Sequence, residues 1–165
     1  MKPSAIVYTS NTGFTKRYAE MFGEKTGLCI YSMEEAKTRL EKGTEIIYFG
    51  WLMAGSVAGY KKAAKLYDIK AVCGTSLAPT GTLVEAMRKS CGLSENFPVF
   101  NVQAGMDRAK LKGGYGFGIK MLIKIMSKKK NRTAEDNAML ELLIKGGDYV
   151  CEENLAGIFD WYNRI

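Results

Sequence analysis

Five short runs of β-branched and aromatic residues, separated by stretches of helical pattern, fill the first hundred positions of this 165-residue chain. The runs are Ala5–Tyr8, Leu28–Tyr31, Glu45–Gly50, Ile69–Gly74 and Phe97–Val102. Between them lie a segment with Tyr18, Ala19, Met21 and Phe22 at helical intervals, the polar stretch Glu34–Leu40, a Lys/Ala stretch through Tyr67, and Leu83–Cys91. Strands joined through helices lie parallel, with the helices packed on the sheet faces. The third run is nearly all apolar, as befits a strand covered on both sides. The alternation predicts an α/β fold with a five-stranded parallel sheet. Sheets of this kind bind ligands beyond the carboxyl ends of their strands, at the switch in strand order. The loops after strands one, three and four are therefore expected to converge.

The first of these loops, Thr9-Ser10-Asn11-Thr12-Gly13-Phe14-Thr15, is rich in hydroxyls and opens a helix. Backbone N–H groups in the first turn of a helix lack intrahelical partners, and the helix dipole favours negative charge there. Gly13 permits close backbone approach, and Ser10, Thr12 and Thr15 can donate hydroxyl hydrogen bonds. Two readings follow: a site for one phosphate monoester, or a helix capped by Ser10 or Thr12. The turn carries no lysine, and neither G-x-x-x-x-G-K-[ST] nor G-x-G-x-x-G follows the first strand. Both a Walker-type triphosphate site and a dinucleotide fold are thereby disfavoured.

Histidine is absent from the chain, which excludes Ser-His-Asp and Cys-His catalysis and the H-E-x-x-H zinc site. No catalytic side chain and no metal cluster is legible, so redox or group-transfer chemistry here calls for an organic cofactor. Cys29, Cys73, Cys91 and Cys151 form no C-x-x-C pair, and are expected as reduced, mostly buried thiols of a cytoplasmic protein. The longest uncharged run, Ile46–Tyr60, contains three glycines and is too short for a membrane span.

The T-S-N-T-G-F-T turn resembles the phosphate loop of flavodoxins, T/S-x-T-G-x-T. The strand–helix order over residues 1 to about 105 is similar to theirs as well. That resemblance implies a flavodoxin-like three-layer sandwich with strand order 2-1-3-4-5, and FMN as cofactor. It assigns Thr9, Ser10, Asn11, Thr12, Gly13, Phe14 and Thr15 to the FMN phosphate. The loop with Trp51, Met53, Ala54, Gly55 and Ser56 and the loop Ser76, Leu77, Ala78, Pro79, Thr80 and Gly81 would flank the isoalloxazine ring. Trp51 is the candidate stacking aromatic, with a core role at the strand end as its alternative.

Flavodoxins are commonly acidic and end soon after the fifth strand. This chain has net charge +7 and continues for some sixty residues. Nine basic residues and no acidic one lie between Arg108 and Arg132, whereas the rest of the chain is slightly acidic. The whole, residues 1–165, is expected as one domain with a basic helical segment, 106–146, inserted near its end. Phe117, Met121 and Ile125, with Leu122 and Ile123, cover a broad helical face beside which Lys120, Lys124 and Lys128 recur, and another helix is predicted from Thr133 to Lys145 with Thr133 as its cap. The closing helix spans Glu153–Tyr162. In layout this tail resembles the flavodoxin-type, menaquinone-dependent protoporphyrinogen dehydrogenases.

The basic helix could lie on an anionic membrane surface, cover a hydrophobic substrate, or be a core helix with a solvated lysine stripe. Nucleic acid fits the charge but not the pattern, because no aromatics are interleaved for base stacking. The function expected is an FMN-dependent oxidoreductase, exchanging electrons with a redox protein, a quinone or another hydrophobic substrate. The alternatives are the porphyrinogen dehydrogenase itself and a cofactor-free interaction module. The location expected is cytoplasmic, with peripheral contact on the inner face of the membrane.

Overall fold

A computed structural model describes residues 2–53, 55–111 and 113–165. The chain forms two compact units, one made of the residues up to Ala104 together with Val150–Ile165, the other of Gly105–Tyr149. The first unit runs β1 (Ala5–Thr9), α1 (Phe14–Thr26), β2 (Cys29–Ser32), α2 (Met33–Arg39), β3 (Glu45–Met53), β4 (Ser56–Val57), α3 (Tyr60–Ala63), β5 (Asp68–Ser76), α4 (Val84–Cys91) and β6 (Val99–Gln103). The second holds β7 (Gly105–Met106), α5 (Gly113–Lys128), α6 (Ala134–Lys145) and β8 (Gly147–Asp148), after which α7 (Ala156–Arg164) completes the first.

Five strands are parallel in the order β2-β1-β3-β5-β6, the order expected with β4 set aside. Strand alternation divides their side chains between two cores. Ala5, Val7, Ile46, Tyr48 and Val72 face one side, packed with Met33 and Ala36 of α2, Ala63 of α3 and Met87 of α4. Ile6, Ile47, Phe49, Ala71 and Cys73 face the other, with Tyr18, Ala19 and Phe22 of α1 and Ile158 of α7. A register shift in the β3–β5 pairing, where Ile46 meets Ile69 but Ile47 meets Ala71, lets Lys70 bulge out. Its ammonium then pairs with Glu45 at 3.0 Å and Asp68 at 2.7 Å. The first unit is a three-layer α/β sandwich of flavodoxin-like topology.

Three local features depart from expectation. β3 continues past Gly50 to Met53 and turns back as β4, pairing Leu52 with Val57 and Met53 with Ser56. The stretch after Gly50 is thus a hairpin rather than an open loop, because antiparallel pairing occupies its backbone groups. The helix expected through Tyr67 ends at Ala63, since the chain must enter β5, and Asp68 N–H already donates to Thr44 O. Of the four cysteines only Cys73 is buried; Cys29 and Cys151 are exposed and Cys91 is half-buried. Cys29 opens the edge strand β2, and Cys151 lies in the connection to α7.

Two helices, α2 and α6, start at side-chain caps visible in the sequence. Ser32 accepts from Glu35 N–H while Glu35 accepts from Ser32 N–H, a capping box at α2. Thr133 and Asp136 form the same box at α6, at the expected cap. Ser32→Ala is expected to lower stability by about 1 kcal/mol, with an unchanged denaturant slope in urea unfolding.

In the second unit, β7 and β8 pair antiparallel, Gly105 with Asp148 and Met106 with Gly147, which clamps its two ends together. Leu142 and Leu143 of α6 are buried, and the Arg108 guanidinium donates to Ile144 O at 2.5 Å. Among the described residues, no helix is long and apolar enough to cross a membrane.

Candidate functional site

The carboxyl ends of β1, β3 and β5 lie side by side in register, Thr9 opposite Gly50 and Trp51 opposite Thr75. Between β1 and α1 the turn Ser10–Gly13 ends in a left-handed backbone conformation that favours glycine. Gly13 is the N-cap of α1 with φ +99°, and no side chain bonds to cap the helix. Ser10 Oγ instead accepts from Gly13 N–H at 3.1 Å, which closes the turn on itself. A β-carbon at Gly13 would meet nothing within 4 Å, so the glycine answers to backbone conformation and the space beside it is open. No acidic residue lies in the first turn, and Lys16 and Arg17 there are exposed. The helix end therefore offers outward N–H groups and positive potential without a resident carboxylate.

Two other predicted residues turn inward. Thr15 is buried, and its hydroxyl pairs with that of Thr75 at 2.7 Å, tying the start of α1 to the end of β5. Thr9 Oγ1 lies 2.8 Å from Tyr48 OH, which itself donates to Ala58 O at 2.7 Å. With the phenol proton committed to Ala58, Thr9 is the donor to Tyr48. Gly59, with φ +80°, fits against this pair; a β-carbon there would overlap the Tyr48 hydroxyl and stand 2.6 Å from Thr9 Oγ1. The hairpin is fixed at its other side by Ser90 Oγ, which donates to Gly55 O at 2.7 Å.

Burial pushes the Tyr48 phenol up to about 12, against the opposing influence of the Thr9 hydrogen bond. A phenol whose folded pKa lies above its unfolded value near 10 stabilises the fold fully below pH 10. That stabilisation is lost as the pH rises toward 12, by roughly 2–3 kcal/mol over the two pH units. Urea midpoints followed from pH 9 to pH 12 are expected to fall steeply in the native protein and less steeply in Tyr48→Phe.

The loop after β5 is held from below. Asn101, buried in β6, accepts from Gly81 N–H through its carbonyl at 2.9 Å and from Leu83 N–H through Oδ1 at 3.2 Å. Its amide nitrogen donates to Ser76 Oγ at 3.0 Å and Gly74 O at 3.4 Å. Thr80 Oγ1 accepts from Gln103 N–H at 3.0 Å and donates to Asn154 Oδ1 at 2.6 Å. Asn154 Nδ2 reaches Tyr18 OH at 2.7 Å, and Tyr18 donates to Gln103 O. Four elements of the first unit thus position one loop.

Placement of the remaining predicted residues follows from this frame. Asn11 is exposed, and Thr12 and Phe14 are half-buried. Trp51 is half-buried within β3 rather than in a loop, and Met53 is exposed at the hairpin end. Gly55 and Ser56 form the return, and Ala54 lies outside the described residues. Ser76 ends β5; Leu77 and Ala78 are half-buried, and Pro79, Thr80 and Gly81 are exposed. Residues the sequence reading missed are Tyr48, Gly59, Thr75, Asn101, Gln103 and Asn154. An asparagine inside the apolar run Val99-Phe100-Asn101-Val102 was a signal for Asn101; Asn154 left none, because its partners are far away in sequence.

No protein-family model matches this chain, and no curated protein matches it. Among the described residues, no group of three metal-ligating side chains is assembled.

Proposed function

We propose that the first unit binds FMN through its phosphate at the Ser10–Phe14 turn and acts as a flavoprotein oxidoreductase. One observation carries the reading: the N-terminus of α1, beside the central strand of the sheet, is closed by a left-handed glycine, with neither a capping side chain nor an acid. A phosphate monoester matches that donor set, in which backbone N–H groups meet the hydroxyls of Ser10 and Thr12 and the amide of Asn11. Thr9 and Thr15, whose hydroxyls bond to Tyr48 and Thr75, shape the turn. The hairpin at Met53–Ser56 and the loop Ser76–Gly81 would border the ring, with Trp51 supplying apolar surface.

When bound, the flavin supplies the one- or two-electron chemistry. The chain's part is to hold and shield it. Neither a histidine nor a carboxylate occurs in Thr9–Thr15, Trp51–Ser56 or Ser76–Gly81, which suits electron transfer and leaves proton abstraction by a side chain without an agent. The electron partner proposed is a redox protein or a hydrophobic molecule such as a quinone.

The visible absorption spectrum of the purified protein, before and after incubation with FMN, tests this reading. A flavin spectrum that stays with the protein through gel filtration is the expected outcome. A protein that remains colourless would reduce the unit to a cofactor-free interaction module. With flavin bound, oxidation of protoporphyrinogen in the presence of a quinone separates a dehydrogenase from an electron carrier.

A further inference from the structure

α5 presents two different apolar sides, and its own unit uses only one. Ile119, Ile123 and Met126 are half-buried, and α5 packs against α6. On the opposite side Phe117, Met121 and Ile125, spaced four apart, form a continuous line, with exposures of 67%, 54% and 62%. Lys120, Lys124 and Lys128, also four apart, run beside that line, and no ion pair joins them to a described residue. Lys129 is different, being paired with Asp136 of the α6 cap at 2.5 Å. The entire stretch from Arg108 to Arg132 lacks an acidic residue.

We propose that α5 lays this face on an anionic lipid surface. Charge complementarity and the geometry of the two lines argue for that occupant. A bilayer surface offers anionic headgroups and apolar chains along one flat boundary, which is what a lysine line adjoining an apolar line matches. Lysine stems can lie over the apolar region while their ammonium groups stay at the headgroups. With 16 residues, α5 is too short to span and suits an orientation in the membrane plane. The proposal stands independently of any flavin.

Co-sedimentation of the full chain with vesicles tests it, using phosphatidylcholine alone or mixed with phosphatidylglycerol. Binding to the anionic vesicles is expected to exceed that to neutral ones by about tenfold or more, and to weaken as salt is raised. The variant K120E/K124E/K128E should lose the difference. The variant F117S/M121S/I125S should bind more weakly even at low salt, with an unchanged circular dichroism spectrum. Equal binding to both vesicles, binding to neither, or native-like binding by the serine variant would overturn the proposal. So would a dimer that only the serine variant dissociates, since a second copy of the chain would then cover the face. Should the glutamate variant fail to fold, the salt titration and the serine variant still decide.

Discussion

Gly59→Ala is expected to destabilise the protein by about 4 kcal/mol, read as a lowered midpoint in urea or guanidinium unfolding. Two costs combine at this position. The backbone is left-handed, φ +80°, where a β-carbon is strained. That β-carbon would also occupy the place of the Tyr48 hydroxyl and press on Thr9 Oγ1. Tyr48 is fully buried between β1, β5 and the helices of its face and cannot swing aside without losing its bonds to Thr9 and Ala58. A buried phenol stripped of those partners accounts for the larger share. By contrast Gly13→Ala, with open space around it, should cost only the backbone strain, about 1 kcal/mol.

Ser10→Asp separates stability from binding. The carboxylate can still accept from Gly13 N–H, and at the N-terminus of α1 it is favoured by the helix dipole, by about 0.3–1 kcal/mol. Thermal stability of the protein without flavin should therefore hold or rise. The same charge repels a phosphate a few ångströms away, and repulsion between partly screened charges at such distances is worth several kcal/mol. FMN affinity is expected to fall by about 100-fold or more, while riboflavin, which has no phosphate, loses little. Equal loss for both ligands would place the phosphate elsewhere.

The layered fold was legible because its signal is local and repeated. Runs such as Ala5–Tyr8 and Glu45–Gly50 state their own burial, and alternation with helices dictates parallel pairing. The caps at Thr133 and the hydroxyl-rich turn after β1 were legible for the same reason, being contained within a few residues. What the sequence concealed depends on long-range pairing. Thr15 reads as a ligand donor in its motif, yet its hydroxyl bonds to Thr75, sixty positions away. The stretch after Gly50 reads as a loop from its small residues, and only antiparallel pairing of Met53 with Ser56 makes it a hairpin. Asn154 reads as part of a terminal helix, although it reaches Tyr18 and Thr80 at the base of the third loop. The basic segment illustrates a different limit. Periodicity identified α5 and its lysine line, but which apolar positions its own unit covers is a property of packing against α6.

The central claim is that the turn between β1 and α1 is a phosphate site, and parallel calorimetric titrations with FMN and riboflavin test it most directly. The account predicts that FMN binds at least about 100-fold more tightly than riboflavin, the difference arising from charge-assisted bonds to the phosphate at the N-terminus of α1. Equal affinity for the two, or binding of neither, would contradict it.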